Sequence, residues 1–165
     1  MATTNFYVDG IKSATFTPTS GTAIELACVG AISGETETQT KVLKCAGVQI
    51  GEKSKNLHMN LTFRGHMSVE AYRALFGMVA DDVVTTKYAY GANSKNASGA
   101  LKVIANEFYG LKEKTVDFGN VAITSGYAFN YENGAEEVAE VEVTMKAMAD
   151  VNGDFFNEEI KDVAV

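Results

Sequence analysis

Polar and apolar side chains alternate with a period of two over several stretches of the chain. In AEEVAEVEVTMKAMAD, Ala135 to Asp150, the residues Val141, Val143, Met145 and Ala147 alternate with Glu140, Glu142, Thr144 and Lys146. Strict alternation predicts a strand with one dry and one wet face. The wet face is acidic at its start, with Glu136 and Glu137 just ahead of Glu140 and Glu142. NLHMNLTFRGHM repeats the pattern. Leu57, Met59, Leu61 and Phe63 point one way, and His58, Asn60, Thr62 and Arg64 the other. Ala23 to Cys28 sets Ile24, Leu26 and Cys28 opposite Glu25. ALKVIANEFY places Leu101, Val103 and Ala105 on a shared face. VAITSGYAFNYE groups Tyr127, Phe129 and Tyr131 in a row that reads as core. KVLKCAGVQIG is a weaker strand with its turn at Ala46–Gly47. ATFTPT is expected at a sheet edge, because Pro18 cannot donate to a ladder.

One segment departs from this period. SVEAYRALFGM carries Val69, Tyr72, Leu75 and Phe76 at helical spacing. Ser68 is a suitable N-cap, Glu70 suits the positive end of the helix dipole, and Gly77 can close the C-terminus. A helix of about ten residues is marginal alone, so its apolar stripe is expected to lean on a sheet. SGETETQTKVLK, Ser33 to Lys44, is rich in threonine and charge and poor in apolar residues. GANSKNASGA reads as a loop. The chain shows no internal repeat and no domain linker. The pattern predicts about eight strands and one helix: a mainly β, antiparallel sandwich or barrel with one short flanking α-helix, in a single domain over 1–165.

Composition narrows the function classes. The chain has 165 residues, enough to bury a core without staples. Its 14 Lys and Arg against 21 Asp and Glu give a net charge of −7, which argues against binding nucleic acid by phosphate neutralisation. Cys28 and Cys45 are too few for a disulfide framework and read as packed thiols. The N-terminus shows no basic region followed by an apolar run, and no stretch reaches the ~20 apolar residues of a bilayer span. Synthesis in the cytosol is expected.

Candidate chemistry is sparse. GVQIGEKS lacks the glycine a phosphate-binding loop needs directly before its lysine, and Glu52 there would repel phosphate. DVNGD has oxygens at the first, third and fifth positions of a calcium loop. Phe155 stands where the sixth position requires glycine, and Lys161 where the twelfth requires glutamate. His58 and His66 have no second ligand at metal spacing. No serine sits in G-x-S-x-G. The expectation is a protein without catalytic residues, cofactor or metal.

The order of these pieces resembles the phage major tail protein, the tail-tube subunit of long-tailed bacterial viruses. The likeness rests on NLHMNLTFRGHMSVEAYRALFGM, a strand running into a short helix, with the threonine-rich segment before it and the alternating valines after it. That family's sandwich or barrel forms hexameric rings that stack into a hollow tube, with strands of each subunit joined around a channel through which DNA passes. The resemblance implies the virion tail as location, after synthesis in the host cytoplasm; the short length favours a non-contractile, siphophage tail over a contractile one without deciding between them. It implies no catalytic activity and no membrane; the immunoglobulin-like domain that some relatives append is not expected, since the sequence stops at Val165 soon after its last long strand. Copies of the chain would be its partners, with tape measure, tip or initiator, and terminator proteins.

Carried over, about 33–54 becomes an arm or hairpin between subunits. Glu35, Thr36, Glu37, Thr38, Gln39, Thr40 and Lys41 form its polar part, expected to order only on polymerisation. Val69, Tyr72, Leu75 and Phe76 become the packing face of the flanking helix. An acidic channel wall would repel DNA weakly and evenly, so Glu140, Glu142 and Glu25 become candidates for facing the lumen. Six copies would carry 6 × −7 = −42. Two alternatives stand beside this. One is a tube subunit of a phage-derived bacteriocin. The other is a β-sandwich module binding carbohydrate or a receptor, which the absence of tryptophan disfavours.

Overall fold

The period-two stretches pair into one antiparallel sheet. The computed structural model describes residues 6–26, 29–129 and 140–163. Its elements are β1 (Val8–Pro18), β2 (Ile24–Glu25), β3 (Val29–Cys45), β4 (Val48–Gly65), α1 (Val69–Leu75), β5 (Val79–Ala80), β6 (Tyr88–Ala89), β7 (Ser98–Glu107), β8 (Lys112–Ile123), β9 (Val141–Ala147) and β10 (Asn157–Asp162). Among the described residues, eight strands form one sheet in the order β2-β1-β7-β8-β9-β4-β3, with β10 beside β8. β8 changes neighbour along its length: Lys112–Asp117 pair with β10, and Val121–Ile123 pair with β9. β5 and β6 form a separate two-stranded ribbon.

The sheet rolls until Cα atoms of β1 and β3 approach within 8 Å. Its concave face supplies the core: Ala14 and Phe16 from β1, Leu101 and Val103 from β7, Phe118, Val121 and Ile123 from β8, Val143, Met145 and Ala147 from β9, and Leu61 and Phe63 from β4. The fold is thus mainly β, antiparallel and sandwich-like, with one short helix. In β9 the alternation holds residue for residue, with Val143, Met145 and Ala147 buried and Glu142 exposed.

Helix α1 closes one end of the roll. Ser68 Oγ accepts the amide of Ala71 at 3.1 Å, satisfying one of the unpaired first-turn donors. At the other end Gly77 adopts φ +58, Gly77 N–H donates to the Ala74 carbonyl and Met78 N–H to that of Arg73. This pair of bonds is the Schellman closure. Leu75 and Phe76 enter the core, and Tyr72 packs against it. Val69, expected on the packing stripe, is exposed, and Ala71 is buried in its place. Val69 opens the helix one turn before Tyr72, where no described residue covers the stripe.

Other expectations need correction. VAITSGYAFNYE is a strand only as far as Ile123. Beyond it, Thr124 and Ser125 both donate to the Thr144 carbonyl, and residues up to Phe129 are irregular. Phe129 is 70% exposed, Tyr127 is partly buried, and Tyr131 lies outside the described residues, so the aromatic row is not a core row. The polar SGETETQTK part of the arm, expected to order only on polymerisation, is strand throughout in the single chain. ATFTPT is the end of a longer strand, β1, whose outer side carries only the two-residue β2.

Candidate functional site

β3 and β4 are the longest strands, and they run past the part of the sheet that packs. β9 meets β4 from Gly65 down to Met59 and no further. Below that, β3 and β4 pair only with each other, from Thr38 opposite Asn56 to Cys45 opposite Val48. Thr38 to Cys45 spans roughly 25 Å at ~3.3 Å per residue. Of the paired residues in this ribbon only Gly51 is even half-buried; both faces are open. Two hydroxyl-centred contacts cross it, Thr38 to Asn56 and Thr40 to Ser54, each 3.0 Å. The turn falls at Ala46–Gly47, with φ 48 and 82, the two positive values of a type I′ hairpin.

Register sorts the arm into two unlike faces. Side chains directly opposite each other share a face, and neighbours along a strand alternate. One face carries Thr38, Thr40, Val42 and Lys44 against Asn56, Ser54, Glu52 and Gln49. The other carries Gln39, Lys41, Leu43 and Cys45 against Lys55, Lys53, Gly51 and Val48. Ile50 is the extra residue of a bulge between them. Val42, Leu43, Val48 and Ile50 are 44%, 63%, 65% and 60% exposed. So a cluster of large apolar side chains sits at the end of an unpacked arm. Of the seven sequence-predicted arm residues, Thr38, Gln39, Thr40 and Lys41 lie in this ribbon. Glu35, Thr36 and Glu37 lie at its root, opposite Asn60, Met59 and His58.

The acidic candidates occupy the convex face but do not form one cluster. Glu140 and Glu142 are exposed at the start of β9, whereas Glu25 is on β2, separated from β9 by β1, β7 and β8 in the sheet order. Glu142 accepts Arg64 Nε at 2.7 Å, which cancels its charge locally. Lys102 and Asp117 pair across β7 and β8, and Lys12 pairs with Glu113. The convex face is therefore a mosaic of both signs. Glu136 and Glu137 lie outside the described residues.

The remaining candidates resolve into structural roles. Asp150 Oδ1 accepts the amides of Asn152 at 2.7 Å and Asp154 at 3.0 Å, so DVNGD is an Asx-type turn. These donors, Asp154 first and then Asn152, hold the Asp150 carboxyl below the usual aspartate range. The Val84 and Val83 amides do the same for Asp81. Among the described residues no three His, Cys, Asp or Glu side chains gather to hold a metal. His58 Nε2 lies 3.0 Å from Glu37 Oε2, without the angle of a hydrogen bond. Cys45 is an exposed free thiol at the arm tip, not a packed one, and Cys28 lies outside the described residues. An open cleft of ≈ 440 Å³ between α1 and the end of β1 is lined by Thr19, Ser20, Thr22, Ala74, Lys95 and Asn96. Thr19 Oγ1 donates to Ser98 O, and Asn96 donates to the Ile123 and Ser125 carbonyls.

Sequence reasoning missed Glu107. It is 7% exposed, and its Oε2 has no hydrogen-bond partner. The signal was available, since Glu107 continues the dry-face series of Leu101, Val103 and Ala105 by one further step.

Neither a family model nor a curated protein matches the chain. No helix among the described residues is long and apolar enough to cross a membrane.

Proposed function

We propose that this chain is a structural subunit, without catalytic activity, that polymerises with copies of itself through the β3–β4 arm. The form of assembly we propose is the stacked hexameric tube of the phage major tail protein, a virion tail component through which DNA passes without specific binding.

One observation carries the reading: the arm has an apolar tip and two unpacked faces, and no described residue of its own chain covers either. Exposed apolar area is unfavourable by about 25 cal/mol per Å². A two-stranded ribbon without a third strand or a core is also marginally stable by itself. A neighbouring copy would relieve both. Among the described residues no strand pairs with the outer edge of β3 along the arm, and such an edge invites strand pairing from another chain. For the wall of a DNA channel, the paired cations Arg64, Lys102 and Lys12 fit a surface that does not hold phosphate, and Glu140 and Glu25 remain the candidates for repulsion.

Sedimentation velocity over a concentration series, with negative-stain microscopy of the heavy fraction, tests this. Rings or hollow filaments above a threshold concentration are expected. A monomer at every concentration contradicts the proposal.

A further inference from the structure

The arm is positively charged in a negatively charged chain. Residues 38–55 contain Lys41, Lys44, Lys53 and Lys55 against Glu52, a net +3. With −7 for the whole, the remainder carries −7 − 3 = −10. Three of the four lysines, Lys41, Lys53 and Lys55, fall on the arm face that ends in Leu43, Cys45 and Val48. That face is apolar at its tip and cationic behind it.

A matching surface lies at one end of the same sheet, where β7 turns into β8 beside the start of β1. Phe108 N–H donates to Tyr7 O at 2.8 Å, and Val8 stands opposite Glu107. Tyr7, Val8, Phe108, Tyr109 and Leu111 are each more than half exposed there, and the Phe108 and Tyr109 rings stack edge to face at 5.4 Å. Glu107 is among them, buried, with Oε2 unpartnered.

From these features we infer that the basic face of the arm docks on the β7–β8 end of a second copy, with Leu43 and Val48 against Phe108, Tyr109 and Leu111. This rests on the polymerising-subunit reading and names its contact. Charge segregation within one chain selects the occupant: an arm of net +3 is drawn to the remainder, net −10, of a copy of the same protein. Register also sets the direction. Ala147 is opposite both Met59 of β4 and Val121 of β8, and from that level the arm and β8 run toward the same end. Copies standing side by side therefore bring arm and acceptor together without inversion. That contact is heterologous, so its repetition gives a ring where the rotation closes and an open filament where it does not.

Disulfide trapping tests the contact, because Cys45 sits on the docking face. Under mild oxidation at assembling concentration, Tyr109→Cys is expected to give a ladder of linked dimers and higher species. The ladder should disappear when Cys45→Ser is added. Lys53→Glu with Lys55→Glu should lower the linked yield by at least ~10-fold, since like charges across a contact are strongly unfavourable. Both sites are exposed, and circular dichroism checks the fold of each variant. Rings or filaments without a Tyr109→Cys ladder overturn the docking surface while leaving polymerisation standing. A ladder from Val83→Cys at the opposite end, with none from Tyr109→Cys, does the same, as does a disulfide closed within one copy. Absence of any assembly removes the proposed function and this inference with it.

Discussion

Ala46 is the one non-glycine residue with a positive φ among those described, and it sits at the arm's turn. The left-handed region strains an L-residue by roughly 1–2 kcal/mol. Ala46→Gly should therefore stabilise the hairpin locally by about 1 kcal/mol, read as roughly fivefold slower amide exchange in residues 38–55. Gly77 is the converse case. Its φ of +58 and the Lys95 carbonyl oxygen, which a Cβ would strike, leave no room for a side chain. Gly77→Ala should destabilise by about 3 kcal/mol, a Tm lower by roughly 10 °C for a domain of this size. Asp150 gives a pH prediction. Its folded-state pKa is depressed, so the turn it holds contributes stability above the ordinary aspartate range. That contribution is lost as pH falls through the depressed value. A carboxyl titration by NMR should place the Asp150 midpoint below that of an unstructured aspartate. Ser68 and Gly77 were readable from residue type, because capping chemistry is local. Val69 and Ala71 were not: which residue of a stripe is covered depends on what lies against it.

At the scale of elements, the strands with one buried face were legible and those without were not. β9 and the upper half of β4 alternate because the core reads one side of each. β10 is exposed at all six residues, so its sequence carries no period to find. β8 hides its period at Gly119, where a register shift against β7 separates Phe118 from Val121. The arm's turn was visible in Ala46–Gly47, but the strand character of SGETETQTK was not. Its polar composition reflects two wet faces, not absence of structure. A shortened arm tests its independence. Joining Gln39 to Lys55 through Asn-Gly keeps their pairing and preserves the contacts of β4 with β9. This variant should unfold within a few degrees of wild type and remain monomeric. A variant that still forms tubes would free the arm from its proposed role.

The described part of the molecule is a rolled sheet capped at one end by a helix, with a projecting ribbon that no other described residues cover. The roll buries its apolar residues well enough to stand alone, whereas the arm does not. That asymmetry is the central physical claim: the arm's partner is another copy. Amide hydrogen exchange along Thr38–Cys45, compared in dilute and assembled protein, tests it most directly. The account predicts fast exchange at the outer edge of β3 in the monomer and strong protection of the same amides in the assembled particle. Assembled particles whose arm amides exchange as fast as in the monomer would contradict it.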